Sequence, residues 1–460
     1  MKYDFDMFAT YPPRRCGIGT YTNNLIEALT GFPEVGKIRV AAISKEELSY
    51  KKPVDFIINQ YDTLSWDKAA SRTIKRAAKS KNPTVAVLQH EYGLDGEHGL
   101  GNNYVAVAER LHAEGVIVIT YFHTILRKPN EHQKRTLQDL AEYSDGLVVA
   151  TDSAIKLLSS NRYNINPSKL RHIDHGVRIR DISELDRLDI KTRQFGVDNN
   201  FLIFTTLGLL SPDKGIQYSI PAYGEFLKQS VTPEDRKRMC YLIAGEVHPD
   251  FVASDGGKRY REYREELREA IASSGVRYNE VEELRQVNLR DFDVVFLNMY
   301  LSEHHLKTSY GAANAVIYPT VKLGQGVSGV LADTAGAGRI AIATASDYAK
   351  YLIGNGTSIS DRRIRVSDRG ILIARPKIDY IAKGLDYFTY ELPKEARILM
   401  EENAREKGHD MRWDNSAWKL IQYISFIDDG RRIIRGRGPE FVRENPSKYA
   451  ALNAELKGKK

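Results

Sequence analysis

The sequence predicts an α/β protein of two domains, each built around a parallel sheet. Three observations predict it. The chain has 460 residues, more than one hydrophobic core ordinarily serves. Apolar runs rich in Val and Ile alternate with amphipathic stretches through both halves, the pattern of strands covered on both faces and linked by helices. Two glycine-rich turns lead from strand to helix, Arg15-Cys-Gly-Ile-Gly-Thr20 and Gly208-Leu-Leu-Ser-Pro-Asp-Lys-Gly215.

Residues 1–180 are expected as the first domain. Val40–Ser44, Thr84–Gln89, Val116–Tyr121 and Gly146–Ala150 read as strands. Tyr21, Leu25, Ile26 and Leu29 recur at helical spacing, so the first glycine turn opens a helix. Residues 181–199 are rich in Arg and Asp and poor in apolar clusters, and are expected as the interdomain linker. Residues 200–405 repeat the architecture, with strands at Phe201–Leu207, Tyr241–Ala244, Val294–Leu297, Ala315–Tyr318, Ile340–Thr344 and Gly370–Ile373. The stretch Gly256 to Gln286 is charged and helical, with no assignable chemistry. Residues 406–430, with Trp413 and Trp418, read as a terminal helix packing back toward the first domain. Residues 431–460 form a basic tail.

Composition narrows the class. Hydrophobic residues make up 42% of the chain, as in a globular enzyme. No run approaches ~18 apolar residues, the length a spanning helix needs. The opening Met-Lys-Tyr-Asp-Phe-Asp carries acids where a signal peptide needs an apolar stretch, and a cytoplasmic protein is expected. The two cysteines, Cys16 and Cys240, are far apart in sequence, which suits a reducing compartment. Cys16 reads as a small residue packed at a turn. The net charge of +7 is compatible with nucleic acid, anionic lipid or a phosphorylated substrate. No zinc spacing or aromatic-interleaved basic motif accompanies it, so nucleic acid is set aside. Peripheral contact with the inner face of a membrane through the tail stands beside a solvated extension.

The polar clusters gather where strands end and helices begin, the edge at which open α/β sheets bind ligands. The Gly208–Gly215 turn can hold a diphosphate, with Lys214 adding a full charge to a helix N-terminus. Gly324-Gln-Gly-Val-Ser-Gly329 opens a second such helix, where Gln325, Gly326, Val327 and Ser328 line the turn and Asp333 follows two turns on. Gln325 and Asp333 can bond sugar or ribose hydroxyls; Asp333 also reads as a surface carboxylate. Gly245-Glu246 ends a further strand. In the first half, His123 ends a strand, where it donates to a ligand or caps the next helix. His90 and Glu91 precede a polar glycine loop, Tyr92–Gly101, expected as a mobile lid or an ordinary surface loop. His175 lies just before the linker, lining a cleft or satisfying a turn. Asp291-Phe-Asp293 has the two-acid form that holds a divalent metal on nucleotide-sugars, but three residues match by chance often and a solvated pair is the favoured reading; no metal site is assigned.

Together these pieces resemble the family 4 retaining glycosyltransferases of the GT-B fold, most closely their mannosyltransferase-like branch. The carriers are Tyr11–Tyr21, Gln89-His-Glu-Tyr-Gly93, Phe122-His-Thr124, Asp174-His-Gly-Val177, Gly208–Gly215 and Ser328–Gly338. The resemblance implies two Rossmann-like domains facing each other across a cleft, the second holding a nucleoside-diphosphate sugar and the first an acceptor. It implies Lys214 on the donor diphosphate, Gly17 and Gly19 near it, and His123 near the transferred sugar, with Gln325 and Asp333 where the family has two glutamates. His123, Lys214 and Gln325 are the expected catalytic residues. Leu209, Glu246 and Gly326–Ser328 join the donor set, and Arg15, His90, Glu91 and His175 the acceptor set. No metal or other cofactor is expected. Leu209 stands where an arginine is usual, with Arg14 or Arg15 as candidates to compensate.

The expected reaction is hexosyl transfer with retention to a saccharide or glycolipid, with mannose from GDP-mannose first and glucose from UDP-glucose second. A non-catalytic nucleotide-sugar-binding protein is the principal rival. A dinucleotide-dependent oxidoreductase is disfavoured, because the first glycine turn has no third glycine and no acidic ribose anchor.

Overall fold

A computed structural model describes residues 1–95, 102–324, 326–358 and 361–437. The chain divides into two compact units, Met1–Gly176 with the segment from Trp413, and Val177–Arg412.

Unit 1 holds seven strands: β1 (Tyr3–Ala9), β2 (Val35–Ser44), β3 (Val54–Asn59), β4 (Thr84–His90), β5 (Ile117–Phe122), β6 (Gly146–Val149) and β7 (Leu170–His172). They pair in the order β3-β2-β1-β4-β5-β6-β7, every pair parallel. Strand residues alternate between two cores, one on each face. Phe5, Met7, Val85 and Val87 join one, Phe8, Ala86 and Leu88 the other. β1 sits centrally although it carries two acids. Asp6 accepts from Thr73 at 2.6 Å and pairs with Arg76 at 2.6 Å. Asp4 accepts from Asn82, Ser80 and the Lys37 amide. Each buried carboxylate thus meets donors or a cation, Asp6 Oδ1 lying 3.5 Å from Arg39, the condition for burying it.

The helix Trp413–Arg437 returns to unit 1, where Trp413, Ala417, Leu420, Ile421 and Ile424 enter the core with β1. It runs past residue 430 into the segment expected as a tail, because Arg431 pairs with the half-buried Asp145 at 2.5 Å and donates to the Val116 carbonyl. Residues 438–460 lie outside the described residues.

Unit 2 holds β8 (Leu202–Leu207), β9 (Met239–Ala244), β10 (Tyr278–Val281), β11 (Val294–Leu297), β12 (Ala315–Tyr318), β13 (Ile340–Thr344), β14 (Thr357–Ser358), β15 (Ile364–Ser367) and β16 (Gly370–Ile373). Their order is β10-β11-β9-β8-β12-β13-β16-β15-β14, parallel except at the β14–β15 and β15–β16 pairs. Again one core covers each face.

Residues 181–199, expected as a linker, belong to unit 2. They contain the helix Glu184–Asp189 and a following turn of π-helix, Ile190–Gln194. Arg187 pairs with Glu401 at 2.9 Å and Arg193 with Asp189 at 2.5 Å, and Ile182, Phe195 and Val197 are buried while Leu185 and Leu188 stay exposed. Low apolar density therefore concealed an anchored segment. The chain passes between units at Gly176–Val177 and Arg412–Trp413. At the first, a Cβ on Gly176 would lie 2.2 Å from the Trp413 ring, so glycine is required for that approach.

Candidate functional site

In each sheet the strand order reverses beside the first strand, between β1 and β4 in unit 1 and between β8 and β12 in unit 2. Ligands of open α/β sheets bind at the carboxyl ends next to such reversals.

In unit 2, β8 runs into Gly208–Gly215. The loop continues the pairing with the β9 exit: the Gly208 amide donates to the Ala244 carbonyl at 3.1 Å and Leu210 to Glu246 at 2.8 Å. Two glycines permit this. Gly245 has φ of +149°, and a Cβ there would lie 1.8 Å from the Gly208 carbonyl oxygen. Gly215 has φ of +71°, and its Cβ would lie 2.1 Å from the Pro319 oxygen. Both dihedrals and both approaches exclude a side chain. Gly215 joins the turn Pro212–Lys214 to the helix Ile216–Gln229.

Lys214 is half-buried. Its ammonium lies over the Tyr318 ring, 5.5 Å from the centroid, and has no carboxylate partner among the described residues. The adjacent Asp213 does not neutralise it, being held by Lys322 at 2.6 Å. A cation on an aromatic face at the mouth of a glycine loop is arranged to meet an anion from outside. The Asp213 carbonyl accepts from Thr320 Oγ1 and the Val321 amide, both at 3.1 Å, which ties this loop to the exit of β12.

The helix Gly329–Gly336 follows that exit, with Ser328 Oγ accepting from the Leu331 amide at 3.3 Å. A Cβ on Gly208 would meet Val330 at 2.8 Å, so the helix start abuts the β8 loop. Gly326, Val327 and Ser328 lead into this helix start, whose Val330 is the neighbour of Gly208. Gln325 lies outside the described residues. Asp333 is 27% exposed and ion-paired with Arg180 at 3.2 Å. Arg180, 3% exposed, also forms a two-point pair with Glu303 at 2.9 and 3.1 Å and covers the Tyr310 ring. Burial opposes its charge, and Asp333, Tyr310 and Glu303 outweigh that, raising its pKa. Asp333 is thus a carboxylate fixed by a buried cation rather than a free surface acid. Arg180 escaped the sequence reading because its partners are distant along the chain.

In unit 1, Cys16 caps the helix Gly17–Thr30: its sulfur accepts from the Gly19 amide at 3.3 Å and lies 2.9 Å from Thr10 Oγ1. The cysteine is thus a structural cap. Gly17 is open to solvent and Gly19 is buried against the Arg14 carbonyl. Arg14 donates to the Ile43 carbonyl and Gln60 Oε1 within this unit; Arg15 is exposed.

His123, at the end of β5, is 8% exposed. Its Nε2 is 2.6 Å from the Gln89 side-chain amide, which fixes the ring's orientation. Burial, then His175 and His90, push its pKa down to about 3. Tyr21 gathers the neighbours edge-on, its ring 5.0 Å from His123, 5.1 Å from His175 and 5.0 Å from Trp413. His90, 2% exposed, is ringed by Tyr92, Tyr104 and Phe122, and burial lowers it to about 4. Both imidazoles are neutral near pH 7 and can only bond a ligand as neutral donors or acceptors. Glu91 accepts from Thr124 at 2.8 Å and from the Tyr92 amide. Residues 96–101 of the expected lid lie outside the described residues.

Asp293 does not wait for a metal. It is bound by Arg236 at 2.7 Å and Arg277 at 2.9 Å, and despite burial these contacts bring its pKa down to about 2. Glu246 sits at the exit of β9, its carbonyl taken by Leu210. Among the described residues no helix is long and apolar enough to cross a membrane.

No protein-family model and no curated protein matches this chain. Solved structures do. Alr3699/HepE of Anabaena, crystallised with UDP, matches at 14% identity over 92% of this chain and 100% of its own, with a TM-score of 0.65. A glycosyltransferase from Rickettsia africae matches at 13% identity, over 93% and 98%, TM-score 0.64. An α,α-trehalose-phosphate synthase (UDP-forming) from Burkholderia xenovorans, in complex with glucose-6-phosphate, matches at 11% identity, over 92% and 100%, TM-score 0.64. These likenesses give the fold, two Rossmann-like parallel-sheet domains of the GT-B type.

Proposed function

We propose that the chain is a glycosyltransferase that takes a hexose from a nucleoside-diphosphate sugar, with UDP-glucose as donor. The observation that carries this reading is Lys214, a half-buried ammonium over Tyr318 at the mouth of a glycine loop, with no carboxylate partner among the described residues. Neighbouring folds were crystallised with UDP and with UDP-glucose, which favours the uracil nucleotide. The expectation of GDP-mannose rested on branch resemblance alone and has no such support.

On this reading unit 2 holds the donor through Gly208, Leu209, Lys214, Glu246 and Gly326–Ser328, with Asp333 toward the ribose. Unit 1 offers Arg15, His90, Glu91 and His175 to the acceptor, a saccharide or glycolipid. The donor C1–O bond breaks toward an oxocarbenium-like state. Negative charge develops on the leaving diphosphate, where Lys214 and the two helix starts stabilise it in place of a metal ion. The acceptor hydroxyl oxygen bonds C1 on the face the diphosphate leaves and gives its proton to a diphosphate oxygen, so configuration is retained. His123 is held by Gln89, and its neutral ring orients the sugar.

Nucleotide binding by calorimetry and UDP release from UDP-glucose, with and without chelator, test the proposal. UDP binding tighter than GDP, and chelator-resistant UDP release exceeding release from GDP-mannose, are expected. No binding of any nucleoside diphosphate would refute it. Because Leu209 replaces a cation, a second reading is a binding protein, which would bind UDP-glucose yet neither transfer nor hydrolyse it.

A further inference from the structure

The amino-terminal edge of the unit 2 sheet, opposite the Gly208 loop, carries buried positive charge that its surroundings do not balance. Arg339 immediately precedes β13, and its side chain is 0% exposed. Its Nη1 lies 3.1 Å from Glu401 Oε1, yet Nε, Nη1 and Nη2 all lack a hydrogen-bond acceptor among the described residues. Arg187, 15% exposed, takes the same Glu401 at 2.9 Å and the Ala313 carbonyl at 3.2 Å, while its Nε is also without an acceptor. Arg405 is half-buried. Its guanidinium covers Gly338, where a Cβ would lie 3.0 Å from Nε and 3.2 Å from Nη2, and it has no acidic partner among the described residues.

Arg187 and Arg339 thus share one carboxylate and Arg405 stands against Gly338 next to Arg339, three guanidiniums to one acid, an excess of two positive charges. Lys191 adds to it from the same edge. It is fully buried, and its ammonium is 2.7 Å from the Phe201 carbonyl, 3.2 Å from Asn199 O and 2.9 Å from Asn314 Oδ1, all neutral acceptors. Burial and the repulsion of Arg187 press Arg339 down to about 10. Burial, Arg187 and Arg339 likewise bring Lys191 down to about 7. A buried cation is costly unless paired, and a guanidinium with unmet N–H groups more so.

We propose that Arg187, Arg339 and Arg405 form a binding site for a small doubly charged oxyanion, a phosphate group, entered from the Arg405 side. A phosphate dianion matches the excess charge and presents several acceptor oxygens to planar donor forks. The phosphate is either the free inorganic ion or the head of a small phosphomonoester. The site lies at the opposite edge from Lys214 and is independent of the reaction proposed above.

The test is calorimetric titration of the full chain with inorganic phosphate, and in a second arm glycerol 3-phosphate, at fixed ionic strength in chloride buffer. Three variants accompany it: Arg405→Gln, Arg405→Lys and Lys214→Ala. Saturable binding is expected in the wild type and in Lys214→Ala, weakened about tenfold or more in Arg405→Gln. Arg405→Lys, which retains the charge, should be intermediate and shows that loss of binding is not loss of fold. Binding of inorganic phosphate alone assigns the free ion; tighter binding of glycerol 3-phosphate assigns the ester. No saturable binding, equal binding in Arg405→Gln, or a response abolished by Lys214→Ala instead, would overturn the proposal.

Discussion

Replacing Lys214 by Met removes one charge and keeps an apolar stem against Tyr318, so the structure sets the size of the effect. A charge pair at about 4 Å is worth ~1 kcal/mol in bulk water and ~4 kcal/mol near a protein surface. Lys214 is half-buried and shares its face with an aromatic ring, so an intermediate value of about 2–3 kcal/mol is appropriate. That corresponds to a loss of roughly 30- to 150-fold in UDP affinity. Uridine has no phosphate and should bind wild type and variant alike, so the ratio of the two affinities isolates the charge. Lys214→Arg should keep most of the UDP affinity, and raised salt should narrow the wild-type advantage. Calorimetric titration of both ligands gives the numbers. A UDP affinity in Lys214→Met within threefold of wild type would refute the reasoning, since no diphosphate could then lie against that ammonium.

Gly245→Ala should cost at least about 3 kcal/mol of unit 2 stability and abolish UDP binding, because its Cβ would sit 1.8 Å from the Gly208 carbonyl oxygen; thermal melting and titration check both. Asp293 has its pKa lowered to about 2, so its ion pairs contribute fully above an ordinary carboxylate value and are lost as pH falls through 2. Asp293→Asn should therefore lose about 2 kcal/mol at neutral pH and flatten the acid limb of the unfolding profile. His90 and His123 are lowered to about 4 and 3. The unfolded chain thus takes up their protons first, and stability should decline as pH drops from about 6.5 toward 4. The same shifts leave kcat/KM without an inflection from His123 near pH 6.5, and His123→Ala should lower it about a hundredfold; a pH–rate profile decides.

Much of this was readable where chemistry is local. The Val- and Ile-rich runs became strands because period and composition agree, and the Gly208–Gly215 turn was visible because its glycines hold dihedrals that side chains exclude. β1 was not read as a strand, since Asp4 and Asp6 alternate with its apolar residues; their burial rests on Asn82, Thr73 and Arg76, far along the chain. Residues 181–199 misled for the converse reason, Arg187 being bound within unit 2 by Glu401, which no window around the segment contains. The fixing of Asp333 by Arg180 and the crowding around Arg339 were invisible likewise, because both depend on which residues the sheet order brings together.

The return of the last helix to β1 has a bearing on synthesis. A ribosome releases the first 176 residues long before Trp413, so the strands made earliest lack one of the walls of their core until that later segment has emerged. Unit 2, whose segments are contiguous, can close in the meantime. A fragment ending at Gly176 would strip Tyr21 of the Trp413 ring and Gly146 of Tyr423 and Ile427, and a workable isolated first domain would have to be a fusion that restores residues 413–437.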